Sequence, residues 1–145
     1  MNQAEICARL PHAGRMCLLT RLLNWDNESI VCLANSHRDV ENPLRAGGQL
    51  HAVAGVEYAA QAMALHGNLL AASDAAPTRG YLASVRDLKL AVEDLSMLND
   101  DLHITARRLS GDASGFIYEF EIRAGTSAVL SGRLVAKLLT AEETA

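Results

Sequence analysis

The chain has 145 residues, half of them apolar and 21% charged, with a formal net charge of -4. A chain of this length buries roughly 70% of its unfolded surface, enough for one core without metal or disulfides. No Lys/Arg cluster, no apolar run of ~18 residues and no secretory leader pattern are present, which excludes a nucleic-acid or anionic-membrane footprint and a membrane-inserted protein, so a cytoplasmic location is expected. One Trp, three Tyr and two Phe leave the core to Leu, Ala and Val. Cys7, Cys17 and Cys32 form an odd set without CxxC spacing and are expected to be small buried hydrophobes, not a disulfide framework or a zinc site.

In chain order, Asn2 to Leu10 carries Ala4, Ile6, Cys7 and Leu10 at helical spacing and stops at Pro11. Met16 to Trp25 is nearly continuously apolar up to the turn at Asp26-Asn27-Glu28 and is predicted as a strand. It forms a hairpin with Ser29 to Ala34. Asn35 to Gln49 has no periodicity, and a loop of that length in a compact domain is usually functional or disordered. Ala52 to Leu70 is a helix in which alanines make nearly every side small, so neighbouring backbone must approach it closely; Gly67 is the predicted stop. Val53, Val56, Ala60, Ala64 and His66 are expected to share a face.

Ala71 to Thr78 reads as a connector. Alternation then predicts four strands, Gly80 to Leu90, Asp101 to Leu109, Ser114 to Arg123 and Ser127 to Leu139, followed by a frayed tail. Ser110-Gly111-Asp112 and Ala124-Gly125-Thr126 have the composition of hairpin turns. The fold class is α+β, a single domain over 1–145 in which one long helix packs on an antiparallel sheet of about six strands. Such a sheet leaves its helix partly uncovered and an edge strand open, so a homo- or heterodimer that continues the sheet is expected.

Glu57 is the residue most in need of an explanation. A carboxylate on an apparently buried Ala-rich helix must be paired, hydrogen-bonded or kept neutral. It lies one turn from Leu50-His51-Ala52-Val53, where helix-start N–H groups can hold an anionic oxygen, an arrangement suited to proton transfer alpha to a thioester carbonyl. The competing reading is a carboxylate placed at a helix start to suit the macrodipole. Gln61 stands four residues on, on the same face. His37 and His51 flank the long loop and either could approach Glu57, whereas His12 reads as structural, His66 as a cation near a helix C-terminus and His103 as solvent-facing. No HxxxH, HExxH, GxGxxG, GK[ST] or GxSxG pattern occurs, so no metal and no cofactor is expected.

Two stretches resemble a known family. Leu10-Pro11-His12, Met16-Cys17-Leu18-Leu19 and Arg21-Leu22-Leu23 resemble the "LPHR-x-P-x-LLLDRV" opening of the 3-hydroxyacyl-acyl-carrier-protein dehydratases. The run from Gly55 to Ala64 resembles their helix, usually written Glu-Ala-Met-Ala-Gln. That resemblance implies the hotdog fold, a helix wrapped by an antiparallel sheet and used as a dimer. The family's His-Phe-Pro motif is missing. Gly47, Gly48 and Gln49 stand near the expected histidine, and the family's Pro-Gly at the helix start is His51-Ala52 here. "NPLR-x-GG" followed by "GVEYAAQAMA-x-HG" is most similar to the dehydratase-like subunit of aryl-polyene clusters, which also encode a second small hotdog subunit that has a histidine.

The resemblance implies action on a 3-hydroxyacyl thioester carried by an acyl carrier protein. Three hypotheses follow. In the first, Glu57 protonates the leaving hydroxyl, Gln61 orients it, the Ala52 N–H holds the thioester oxygen, and a partner hotdog subunit supplies the histidine. In the second, a homodimer uses His51 or His37 instead. In the third, the protein binds acyl chains or scaffolds a partner without catalysis. Arg38, Arg45 and Arg79 are the expected contacts for an acidic carrier protein, against a reading as solvated surface.

Overall fold

A computed structural model describes residues 1–10, 16–71, 80–112 and 114–138. The expectations for His12, Arg79, residues 72–78 and the tail after Leu139 fall outside the described residues.

Helix α1 (Gln3–Arg9) begins with a capping box in which the Asn2 side chain accepts from the Glu5 N–H and the Glu5 carboxylate accepts from the Asn2 N–H. Strands β1 (Arg21–Trp25) and β2 (Ser29–Ala34) form the predicted hairpin, closed by the Asp26 carboxylate on the N–H groups of Glu28 and Ser29. The first strand is shorter than expected. Residues 17–20 lie outside the strand, and Gln61 takes the Leu18 N–H that a neighbouring strand would otherwise use.

The central helix α2 (Gly55–Leu70) is entered through a tight turn over Ala52–Ala54. It passes through Gly67 without stopping and ends at Leu70, so the glycine is tolerated inside the last turn. Strands β3 (Gly80–Leu90), β4 (Leu102–Gly111), β5 (Gly115–Ala124) and β6 (Ser127–Leu138) follow, and the six strands form one antiparallel sheet in the order β1-β2-β4-β5-β6-β3. Gly125, with φ of 60°, supplies the left-handed residue that the β5–β6 turn requires.

The alternation on β4 and β5 is as expected. Leu102, Ile104, Ala106, Tyr118, Phe120, Ile122 and Ala124 point at the helix and are buried, while His103, Thr105 and Arg107 face out. Helix α2 packs chiefly on β2, β4 and β5. Its close approach depends on Gly55, where an added Cβ would lie 2.6 Å from Leu130 Cδ2. The helix does not reach the far edge. Leu82 and Leu90 on β3 stand opposite the buried Ala136 and Leu130 of β6, on the helix side, yet remain 37% and 41% exposed. On the helix itself Val53, Val56, Ala60 and Ala64 form the stripe that the sheet leaves partly open, and His66 lies on the buried side instead.

Two cysteines overturn their expected state. Cys7 and Cys17 form a disulfide, with Cα atoms 5.8 Å apart, and only Cys32 is free. Spacing alone hid this pair because α1 folds back on the segment before β1, bringing together residues that are ten apart in the chain. Cys32 is the expected buried hydrophobe, and burial pushes its thiol up to about 12.

Candidate active site at the start of the central helix

Glu57 lies in the first turn of α2 and is half-buried, less enclosed than the Ala-rich sequence suggested. Gln61, one turn along, donates from its Nε2 to Glu57 Oε1 at 3.3 Å. Gln61 is itself fully buried and held at both ends of its amide. Its Oε1 accepts from the Leu18 N–H at 2.8 Å, and its Nε2 donates to the Met16 carbonyl at 2.6 Å. One side chain therefore reads the backbone on either side of Cys17 as a strand would and points its remaining donor at the carboxylate.

The next residue along, Tyr58, anchors the long loop. Its hydroxyl bonds Ser36 Oγ at 2.8 Å and accepts from Asn42 Nδ2 at 3.1 Å, while Ser36 Oγ donates to the Leu18 carbonyl. Composition gave no sign of these contacts, because Tyr58 is distant in sequence from Ser36 and Asn42 and all three are unremarkable in type. Asp94 has a more legible role, since Asp-x-Ser is a cap signal. Its carboxylate accepts from Ser96 Oγ, the Ser96 N–H and the Leu50 N–H, which hold it below the usual carboxylate range.

The N–H groups at the helix start are all engaged within this chain. Ala52 donates to the Glu93 carbonyl at 2.8 Å, Val53 to His51 Nδ1 at 3.1 Å, Ala54 to the His51 carbonyl at 2.9 Å, and Gly55 to the carbonyls of Ala52 and Val53. The Ala52 N–H expected to hold a thioester oxygen is thus not free. The reason is that residues 93–95 lie antiparallel to residues 50–52 and use it, with Leu95 N–H also donating to the Leu50 carbonyl.

Neither histidine presents an accessible free lone pair: that of His51 is occupied and that of His37 is buried. His51 is exposed, but its Nδ1 lone pair accepts the Val53 N–H, so the ring proton sits on Nε2. His37 is fully buried in a helical turn over Ser36–Arg38, where its Nε2 faces the Leu98 carbonyl at 3.2 Å and its Nδ1 has no hydrogen-bond partner among the described residues. Burial, then the Arg38 charge, keeps its pKa below the ordinary 6.5.

The expected carrier-protein cations are also engaged. Arg38 pairs with Asp101 at 2.6 Å and bonds the Asn99 carbonyl. Arg45 turns back on its own loop to the His37 and Gly48 carbonyls. His66 is not the helix-terminal cation expected: it is fully buried, its Nε2 donates to the Asp26 carbonyl, and its Nδ1 accepts from the Tyr118 hydroxyl. Burial holds it neutral and Tyr118 is pushed up to about 12. Among the described residues no three His, Cys, Asp or Glu side chains stand close enough to hold a metal, and no helix is long and apolar enough to cross a membrane.

The profile of the ApeP-like family, described as ApeP dehydratase, matches residues 4–141. The chain belongs to the ApeP-like dehydratases. Among solved structures this ApeP-like chain is similar to the dehydratase heterocomplex ApeI:P from Xenorhabdus doucetiae, with a TM-score of 0.85 at 24% identity over 96% of this chain and 93% of that one. It is also similar to AziG from S. sahachiroi, with a TM-score of 0.65 at 14% identity over 90% and 98% of the two chains. A mutant thioesterase from Pseudomonas aeruginosa gives a TM-score of 0.60 at 16% identity over 82% and 80%. These likenesses show the hotdog fold. No curated protein matches the chain significantly in sequence.

Proposed function

We propose that this ApeP-like chain is one half of a heterodimeric 3-hydroxyacyl thioester dehydratase in aryl-polyene biosynthesis, contributing Glu57 while a partner hotdog subunit contributes the histidine. The observation that carries the reading is the contrast at the helix start: a carboxylate aimed by a dedicated amide donor, beside two histidines whose basic nitrogens are occupied or buried. The similarity to a dehydratase heterocomplex supports a hotdog partner. The open helix stripe and the exposed leucines of β3 are the apolar surface such a partner covers.

In the reaction the partner's histidine takes the alpha proton of a carrier-bound 3-hydroxyacyl thioester as the Cα–Cβ double bond forms. Glu57 gives its proton to the departing beta hydroxyl, which leaves as water. Solvent then returns a proton from the histidine to Glu57. Gln61 fixes the carboxylate, and the donor that holds the thioester oxygen comes from the partner, because the Ala52 N–H is in use. The elimination requires no cofactor. With Arg38 and Arg45 already engaged, the partner is also the side on which an acidic carrier protein docks.

The test is dehydration of a 3-hydroxyacyl-pantetheine thioester by this chain alone and after mixing with a histidine-bearing hotdog subunit. Activity confined to the mixture is expected. Activity of the chain alone that His51→Ala or His37→Ala abolishes contradicts it and favours the homodimer.

A further inference from the structure

The one covalent cross-link among the described residues sits directly on the segment that aims Glu57. Cys17 lies between the two backbone groups that Gln61 grips, the Met16 carbonyl at 2.6 Å and the Leu18 N–H at 2.8 Å, and the same Gln61 Nε2 is the donor to Glu57. Leu18 has a second hold, since its carbonyl accepts from Ser36 Oγ at 2.7 Å, and Thr20 donates to the Leu33 carbonyl at 2.8 Å. On the Met16 side the Gln61 amide and the disulfide both hold the backbone. Helix α1, at the other end of the cross-link, is docked independently through the buried Ile6, the Arg9 bond to Asn68 and the Leu22 N–H on the Met1 carbonyl.

We propose that the Cys7–Cys17 disulfide is a redox-controlled positioning device: closed, it holds the Met16–Leu18 backbone against Gln61 and so keeps the Glu57 carboxylate aimed; opened, it releases that aim. The reductant is a dithiol. Its thiolate attacks the sulfur of Cys7, which is half-buried where Cys17 is only 2% exposed, forming a mixed disulfide and releasing Cys17 as a thiolate that takes a proton. The second thiol of the reductant then displaces Cys7, so two electrons and two protons pass to the protein and the reductant leaves as its own disulfide. Cys32 stays out of the exchange because it is buried and its thiol is pushed up to about 12.

The importance of the tether for catalysis rests on the role proposed for Glu57, whereas the tether itself does not. The full chain, purified without reductant and unfolded in denaturant, is expected to show one free thiol, from Cys32; three free thiols overturn the proposal. Reduction with dithiothreitol is expected to speed exchange of the Leu18 amide about tenfold more than that of the Ile104 amide in β4, which reports the loss of global stability. An unchanged Leu18, or equal acceleration at Ile104, overturns it, the latter because the bond is then a general staple. In the mixed complex, reduction is expected to lower kcat about tenfold at constant KM, reversibly, and Cys7→Ser/Cys17→Ser to match the reduced form. An unchanged or irreversibly lost kcat overturns the catalytic role. A complex inactive in both redox states overturns the reading of Glu57 while the exchange result still decides the tether.

Discussion

Gln61 donates to the Glu57 carboxylate at 3.3 Å while the same amide spans the backbone on both sides of Cys17. The carboxylate proposed to react is therefore coupled to a buried residue one helical turn away, and that residue is coupled to the segment leading into β1. Replacing Gln61 with Leu keeps the volume but leaves the Leu18 N–H and the Met16 carbonyl without partners, at about 1–3 kcal/mol each. The expected result is a lower urea midpoint together with a fall in kcat of about 10- to 100-fold in the mixed complex. Glu57→Gln, by contrast, is expected to abolish turnover and leave the midpoint nearly unchanged.

The approach of α2 to β6 depends on Gly55, because a Cβ there meets the almost fully buried Leu130. Gly55→Ala is expected to destabilise the protein by about 1–3 kcal/mol through overpacking. Leu130→Ala removes the clash as well as its own packing, so the double variant is expected to be less damaged than the sum of the two singles. Thermal unfolding of the four proteins in a double-mutant cycle measures that coupling.

His37 and His66 are both held neutral in the folded protein by burial. Their folded-state pKa values lie below the ordinary 6.5, so the unfolded chain binds more protons in the window between the two states. Stability is accordingly full above about 6.5 and falls as the pH drops below it. Urea midpoints from pH 8 down to pH 5 measure the slope, and His66→Gln is expected to be less stable at pH 8 but to lose less on acidification. A variant with the full original slope contradicts the assignment.

Closing a loop ten residues apart in sequence, the disulfide is expected to contribute about 3 kcal/mol. Cys7→Ser/Cys17→Ser should then lower Tm by about 6–12 °C in a chain of this size. An unchanged Tm contradicts a closed bond in the native protein.

Leu82 and Leu90 face the helix side of the sheet without being covered by the helix. Leu82→Arg/Leu90→Arg is expected to abolish association with the partner subunit, read by sedimentation velocity, while the circular dichroism of the chain is retained. Association at the original affinity contradicts the assignment of this face.

Most of the fold was legible because the chain's local signals agree with its tertiary structure. The periods of β4 and β5 are those of a half-buried sheet, and the alanine density of α2 matches a helix that a sheet wraps. Where expectation failed, a long-range contact decided the outcome. Residues 17–20 look like strand but give a backbone donor to Gln61, Gly67 stays helical, and Cys7 meets Cys17 only because α1 folds back. The pairing of Glu57 with Gln61 could be read from their spacing of four. The engagement of the Ala52 N–H could not, because its partner at Glu93 lies beyond both α2 and β3 in the chain.

The most direct measurement of the central claim is the rate of 3-hydroxyacyl thioester dehydration by this chain mixed with a histidine-bearing hotdog subunit, with Glu57 intact and as Glu57→Gln. A rate present only in the mixture and lost with Glu57→Gln is the expected result. A mixture that keeps its rate with Glu57→Gln would show that this chain serves as a binding scaffold and not as half of the active site.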